Sequence, residues 1–161
     1  MIKLNEIERE LWIRFHEFAY RDDLDLSEKI KDSNPRWSII SGYYAMHDIA
    51  KLYLGKVHNL KIFGENVHKQ TIDGLKYVLK DSEEAKRILE LLRNAEKEIK
   101  EIGAEQIPYL LISGKKERGK AQYYSINALT DNNEYTKKAE WFIENIVRVF
   151  IKILEEMTNA D

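Results

Sequence analysis

The segment 114–124 contains the side chains best suited to bind phosphate. Within it, four positive charges and one negative charge fall in the six residues 115–120. Lysine and arginine side chains, together with free N–H groups of a glycine-bracketed loop before a helix, favour phosphate binding. The segment lacks the Gly-x-x-x-x-Gly-Lys-Ser/Thr pattern of a nucleotide-binding P-loop. Its candidate binding residues are Lys115, Lys116, Lys120 and Tyr124. A solvated loop is the alternative interpretation.

Arg118 precedes a pair of tyrosines, Tyr123 and Tyr124, by five and six residues. That spacing lets a short helix project the guanidinium and a phenol ring from the same end. Arginine can hold phosphate through two parallel hydrogen bonds, and tyrosine offers a stacking ring and a hydroxyl group. The alternative is that the tyrosines pack in the core and Arg118 is a surface charge.

Two histidines lie in or beside the most apolar part of the chain. His47 and Asp48 occupy the middle of a predicted helix over residues 36–55, and such groups are costly to bury without partners. They therefore either meet polar groups inside or line a wet groove, and adjacent positions point about 100° apart on a helix. His68 lies near the start of the next predicted helix, where the helix dipole favours a neutral imidazole. Such an imidazole can transfer protons or simply serve as a structural cap.

Composition narrows the remaining possibilities. The four histidines lack metal-ligand spacing and there is no cysteine, so we expect no metal site and no cofactor. No Ser–His–Asp pattern has motif support, and no Gly-x-Gly-x-x-Gly occurs. With 26 basic and 28 acidic residues, net charge alone does not indicate a nucleic-acid binder. No apolar run is long enough to cross a bilayer. We expect a cytoplasmic protein with no membrane partner.

The elements that must position these residues are helices. Pro35 suits a first helical position and Gly55 a helix end, and the helix between them is apolar almost all round, which is typical of a helix surrounded by others. Other helices are predicted over residues 2–21, 66–80, 82–102, 119–129 and 133–157. A chain of 161 residues is one domain by the usual prior. We expect a single domain over 1–161, an all-α up-and-down bundle of about five helices.

The first predicted helix has one apolar face. Its members are Leu4, Ile7, Leu11, Phe15 and Phe18. We expect this face to pack into the core and His16, which lies off its centre, to face solvent. Because a bundle with so many aromatic residues can leave an apolar face to bury, we also expect a homodimer.

Four pieces of the chain, in order, resemble the HEPN-domain superfamily. The helix Ser41–Leu54 is similar to that family's Tyr-Tyr-Ala-Met-Phe-His-Ala-Ala helix, and Val67–Ile72 resembles the start of its next helix. The segment Arg118–Tyr123 resembles its Arg-x-x-x-Asp-Tyr segment, and Asn133–Ile143 resembles its last helix. The resemblance covers about residues 36–157. It implies a helical bundle that is often dimeric.

The same resemblance implies an activity. Many HEPN proteins are metal-independent endoribonucleases of toxin–antitoxin systems, with an Arg-x(4–6)-His motif whose arginine holds the phosphate and whose histidine helps the ribose 2′-hydroxyl attack it. Here Arg118 matches the arginine, and Tyr123 or Tyr124 stands where the histidine should be. The catalytic role of that histidine would then fall to Tyr123, or to His68 or His47 if folding brings one of them beside Arg118. Lys115, Lys116, Lys120 and Tyr124 would bind RNA or a nucleotide.

The resemblance also supports an alternative function. Other HEPN proteins are partners of a small nucleotidyltransferase, and some carry a tyrosine near the arginine that accepts nucleotidyl groups. The chain could then be a non-catalytic partner subunit. A plain helical interaction module, in which these polar residues are structural, is the third hypothesis.

Overall fold

The computed structural model describes residues 1–103 and 132–160. The predicted phosphate-binding loop and the short helix over 119–129 lie outside these residues. So do the site residues assigned there, namely Lys115, Lys116, Arg118, Lys120, Tyr123 and Tyr124.

Five helices make up nearly all of the described structure, which confirms the all-α bundle. They are α1 (Glu6–Ile30), α2 (Pro35–His58), α3 (Val67–Leu79), α4 (Glu83–Glu101) and α5, which runs from Asn132–Phe142 through a π-helical segment, Ile143–Val147, into Arg148–Asn159. Two-residue strands, β1 (Ile2–Lys3) and β2 (Leu60–Lys61), pair antiparallel beside them. No helix within the described ranges is long and apolar enough to cross a membrane.

The central helix α2 is surrounded by the other helices, as its all-round apolar sequence predicts. Ile39, Met46, Ile49 and Leu54 are completely buried. Pro35 opens the helix as its first residue. The predicted end at Gly55 is wrong, because the helix continues to His58 and ends at Asn59 in the left-handed conformation.

Gly55 serves packing instead of termination. A Cβ atom added there would lie 2.6 Å from Nε1 of the Trp12 indole, so only glycine lets α1 approach α2 this closely. Gly42 plays the same role on another side of α2, where an added Cβ would lie 2.9 Å from Cγ2 of Val147.

The orientation of α1 differs from the prediction. Ile7, Leu11, Phe15 and Phe18 are 63–77 % exposed, whereas His16, Tyr20 and Ser27 are buried. The physical reason is that the face of α1 toward α2 is held by hydrogen bonds. The Trp12 indole N–H donates to the carbonyl oxygen of Lys51, and the Ser27 hydroxyl donates to the carbonyl oxygen of Ser38.

The outer helices follow their apolar patterns more closely. In α4 the regularly spaced apolar residues Ile88, Leu92, Ala95 and Ile99 are buried, and in α5 Ala139, Phe142, Ile146 and Phe150 are buried. These residues complete one core around α2. Gly74 of α3 allows a close contact with α2, since an added Cβ would lie 3.0 Å from Cδ1 of Leu54.

Candidate functional site

Two of the predicted site residues, His47 of α2 and His68 of α3, stack on each other. Their ring centroids are 4.1 Å apart and the ring planes differ by 19°. The residues are 21 positions apart in sequence. Helix α3 brings His68 to this place because Asn66, in the left-handed conformation, turns the chain into the helix immediately before it.

Tyr43 joins the two histidines. Its ring meets His47 edge-on at 4.6 Å and His68 edge-on at 5.2 Å. Edge-to-face contacts of this kind suit the quadrupole of aromatic rings. Tyr43 is not among the site residues predicted from the sequence. The spacing of four between Tyr43 and His47, which places both on one helix face, was the available signal.

His47 is the buried member of the stack. It is 1 % exposed, and neither ring nitrogen has a hydrogen-bond partner among the described residues. Burial, and then the positive charges of His68 and Lys51, keep the pKa of His47 well below its ordinary value of 6.5. The ring is therefore neutral at pH 7, and its contacts are with other rings.

His68 is half-buried and reaches an open pocket. Burial lowers the pKa of His68, Lys51 lowers it further, and Asp48 partly offsets the effect. A neutral imidazole at the edge of a pocket can accept a proton from a bound molecule. The pocket has a volume of about 470 Å³ and is lined by Tyr43, Asn66, Val67, His68, Lys69, Glu96 and Lys100.

Asp48 points away from the histidine stack, as its position next to His47 predicts. Its Oδ1 lies 2.8 Å from Nδ1 of His16 and 3.9 Å from Nζ of Lys51. Burial lowers the pKa of His16, although the hydrogen bond to Asp48 acts against this. The prediction that His16 faces solvent is wrong, because Asp48 gives the imidazole a polar partner between α1 and α2.

Asp23 and Lys51 complete this second group. The pKa of Asp23 rises from 3.8 to about 6, because its carboxyl is partly buried and because the charge of Asp48 and a hydrogen bond to it favour the protonated form. Burial lowers the pKa of Lys51, against the attraction of Asp48. We call His16, Asp23, Asp48 and Lys51 the polar cluster.

Lys51 couples the polar cluster to the histidine stack electrostatically. Its charge lowers the pKa of both His47 and His68. Lys51 follows His47 by four residues and Asp48 by three, so it lies near both on the helix surface. That spacing was a signal which sequence analysis did not use, whereas nothing local in the sequence placed His16 or Asp23 beside α2.

Two further predictions concern a metal site and the phosphate-binding residue Arg118. Within residues 1–103 and 132–160, no group of three or more histidine, aspartate or glutamate side chains is arranged to hold a metal ion. The predicted phosphate-binding residue Arg118 lies outside the described residues.

Comparisons with known proteins add no relative. No family model, no curated protein and no solved structure matches the chain.

Proposed function

We propose that the chain is a HEPN-like RNA-binding protein whose RNA lies in the pocket beside His68. In this proposal His68 transfers protons during cleavage of the bound RNA. The observation that supports it best is the stacking of His47 on His68, with Tyr43 against both rings. This arrangement fixes the orientation of one neutral imidazole at the edge of an open pocket.

Two lysines and an exposed tyrosine support the binding of single-stranded RNA at this pocket. Lys69 and Lys100 line it and can contact phosphate oxygens, which fix the position of the strand. Tyr44 is 43 % exposed, and its ring lies 5.8 Å from the His68 ring. An exposed aromatic ring offers a surface on which a base can stack, and such stacking is worth about 1–3 kcal/mol per base.

The proposed reaction needs no group beyond a base and a phosphate ligand. Neutral His68 takes the proton from a ribose 2′-hydroxyl, and the 2′-oxygen attacks the adjacent phosphorus. The bond from phosphorus to the 5′-oxygen breaks, and that oxygen leaves with a proton from solvent. The products are a 2′,3′-cyclic phosphate and a 5′-hydroxyl end. Arg118 is assigned to hold the phosphate, which rests on the family resemblance.

The test separates binding from cleavage. Binding of a fluorescent single-stranded RNA is measured by anisotropy, and cleavage of an RNA pool is measured in EDTA. We expect His68→Asn to reduce cleavage by roughly 10²-fold or more, which is the usual effect of losing a general base, while binding changes little. Arg118→Ala should weaken both. His58→Asn is the matched control, because His58 contacts Tyr53 and does not line the pocket.

Each outcome has a separate meaning. Binding with no cleavage would retain the RNA-binding part of the proposal and remove the catalytic role of His68. If neither the wild-type protein nor any variant binds RNA, the proposal is overturned. The remaining hypotheses would then be a non-catalytic partner of a small nucleotidyltransferase and a plain interaction module. Co-purification with a nucleotidyltransferase would distinguish these two.

A further inference from the structure

Helix α1 presents an apolar stripe to solvent. Ile7, Leu11, Phe15 and Phe18 are 77, 63, 64 and 70 % exposed. Because they repeat at intervals of four, four and three residues, they follow one line along the helix, about 16 Å long. Soluble monomers seldom expose a contiguous set of large apolar side chains without a partner for it.

The stripe does not result from a loosely attached helix. On its opposite face α1 is anchored to α2 by the His16–Asp48 contact and by the buried Ser27–Ser38 hydrogen bonds. The orientation of α1 is thus fixed by specific contacts, and those contacts turn the stripe outward.

One edge of the stripe carries charges of alternating sign. Glu10, Arg14, Glu17 and Arg21 follow one another at intervals of four, three and four residues. At 100° per residue they fall within about 60° of the helix circumference, directly beside the stripe. Glu10 and Arg14 form an ion pair at 2.9 Å and are 67 % and 75 % exposed, so both remain accessible to a partner.

We propose that the stripe is covered by the same stripe of a second copy of this chain, with the two α1 helices antiparallel. In an antiparallel pair related by a two-fold axis, the same edge of each helix faces itself in reverse order. An edge that alternates in sign then places opposite charges face to face. In a parallel pair this edge would face the other edge of the stripe, so the alternation favours the antiparallel arrangement.

One register suits both the stripe and one of the charge pairs. If Glu10 faces Arg14 of the second copy, the two-fold axis passes near residue 12. The stripe from Ile7 to Phe18 is centred between residues 12 and 13. The same register therefore pairs Glu10 with Arg14 across the axis and lays the two stripes against each other, while Glu17 and Arg21 lie outside this pairing. This inference is independent of the RNA-binding proposal.

The first experiment measures mass in solution. Sedimentation equilibrium of the whole chain should show a dimer that dissociates on dilution. The double variant Leu11→Glu with Phe15→Glu should be monomeric over the same concentrations. Tyr77→Glu is the matched control, because Tyr77 is 70 % exposed on α3 and lies outside the stripe. Far-UV circular dichroism confirms that each variant is folded.

The second experiment tests the register with charge reversals. E10R and R14E should each weaken the dimer by about tenfold or more, because each creates two like-charge contacts across the two-fold axis. A mixture of the two variants should form a heterodimer of restored stability. Every contact across the axis is then between opposite charges, although each helix keeps its own like-charge pair. Restoration therefore cannot arise from repair within one helix.

Three results would overturn the proposal. They are a wild-type chain that stays monomeric at high concentration, a dimer that survives the Leu11→Glu and Phe15→Glu double substitution, and a mixture of E10R and R14E that behaves like the separate variants. The last result would leave a stripe-mediated dimer but exclude the antiparallel register proposed here.

Discussion

Asp23 shows how one contact can make the ionised form of a carboxyl group unfavourable. Its pKa is raised to about 6 because the group is partly withdrawn from water and faces Asp48. At neutral pH the folded protein therefore holds two negative charges close together. His16 and Lys51 also lie within ion-pair distance of Asp48.

We predict that Asp23→Asn stabilises the protein at pH 8. The amide removes one negative charge and can still donate a hydrogen bond to Asp48. A shift from 3.8 to about 6, discounted for solvent screening at a partly exposed site, gives about 1–2 kcal/mol in the free energy of unfolding. The gain should shrink as the pH falls below about 6, where wild-type Asp23 becomes protonated. Urea unfolding at pH 8 and pH 5 measures it.

A control keeps this interpretation specific. Asp25→Asn changes the same charge on the same helix, but Asp25 is exposed and pairs with Lys29, so it should not stabilise the protein. Equal gains for Asp23→Asn and Asp25→Asn would show that overall charge, and not the contact with Asp48, sets the effect.

His47 and His68 show the division between a buried and an accessible histidine. His47 has no hydrogen-bond partner among the described residues, so its position depends on stacking and packing. One face of the His68 ring stacks on the His47 ring, but His68 also borders the pocket. Of the two, only His68 is placed to exchange a proton with a bound molecule, which is why the proposed reaction uses it.

At the scale of helices, the sequence predicts elements better than their orientation. The apolar positions of α2, α4 and α5 are buried as expected, because a continuous core surrounds α2. In α1 the most apolar face is outward and the face with His16 and Ser27 is inward. Periodicity identifies a face that must be covered but does not say by what. The hydrogen-bond partners of His16 and Ser27 come from α2, and no local pattern reveals them.

The contact between α1 and α2 gives a second prediction. Gly55→Ala should destabilise the protein by about 1–3 kcal/mol, which is the usual cost of overpacking, although alanine alone would favour helix by about 1 kcal/mol. The added methyl group would meet the Trp12 indole, and moving the ring would weaken its hydrogen bond to Lys51. Thermal unfolding of the purified variants measures the effect.

The control is to introduce Gly55→Ala into a Trp12→Leu variant, which lacks the indole. In that background Gly55→Ala should cost much less, because the methyl group enters space that the ring occupied. A cost that is the same in both backgrounds would place the strain elsewhere in α2 and contradict the assigned contact.

For the whole molecule, the fold class and part of the site follow from the sequence. His47 and His68 were both singled out, and folding brings them together. Their meeting depends on how α3 packs against α2, which is a long-range property. His16 and Asp23 join the site by the same kind of long-range packing, which the pattern of a single helix does not predict, whereas Tyr43 and Lys51 each lie four residues from His47 on α2.

The histidines together give the molecule a predicted pH dependence. All four histidines of the chain have lowered pKa values, and burial is the largest cause for each. Below pH 6.5 the unfolded chain therefore binds more protons than the folded protein, so the free energy of unfolding falls as the pH decreases. Asp23 acts in the opposite direction between about pH 6 and its ordinary value of 3.8.

We therefore expect the free energy of unfolding to fall between pH 7 and pH 5, since one carboxyl group opposes four histidines. His47, with its strongly lowered pKa, should contribute up to about 1.4 kcal/mol per pH unit below 6.5. His47→Gln should flatten the profile by about that slope, whatever it does to stability at pH 7. His58→Gln, at a less buried site, should change the slope less. Urea unfolding at several pH values would decide this, and a profile that stays unchanged in His47→Gln would contradict the assignment of His47 as neutral and unpaired in the fold.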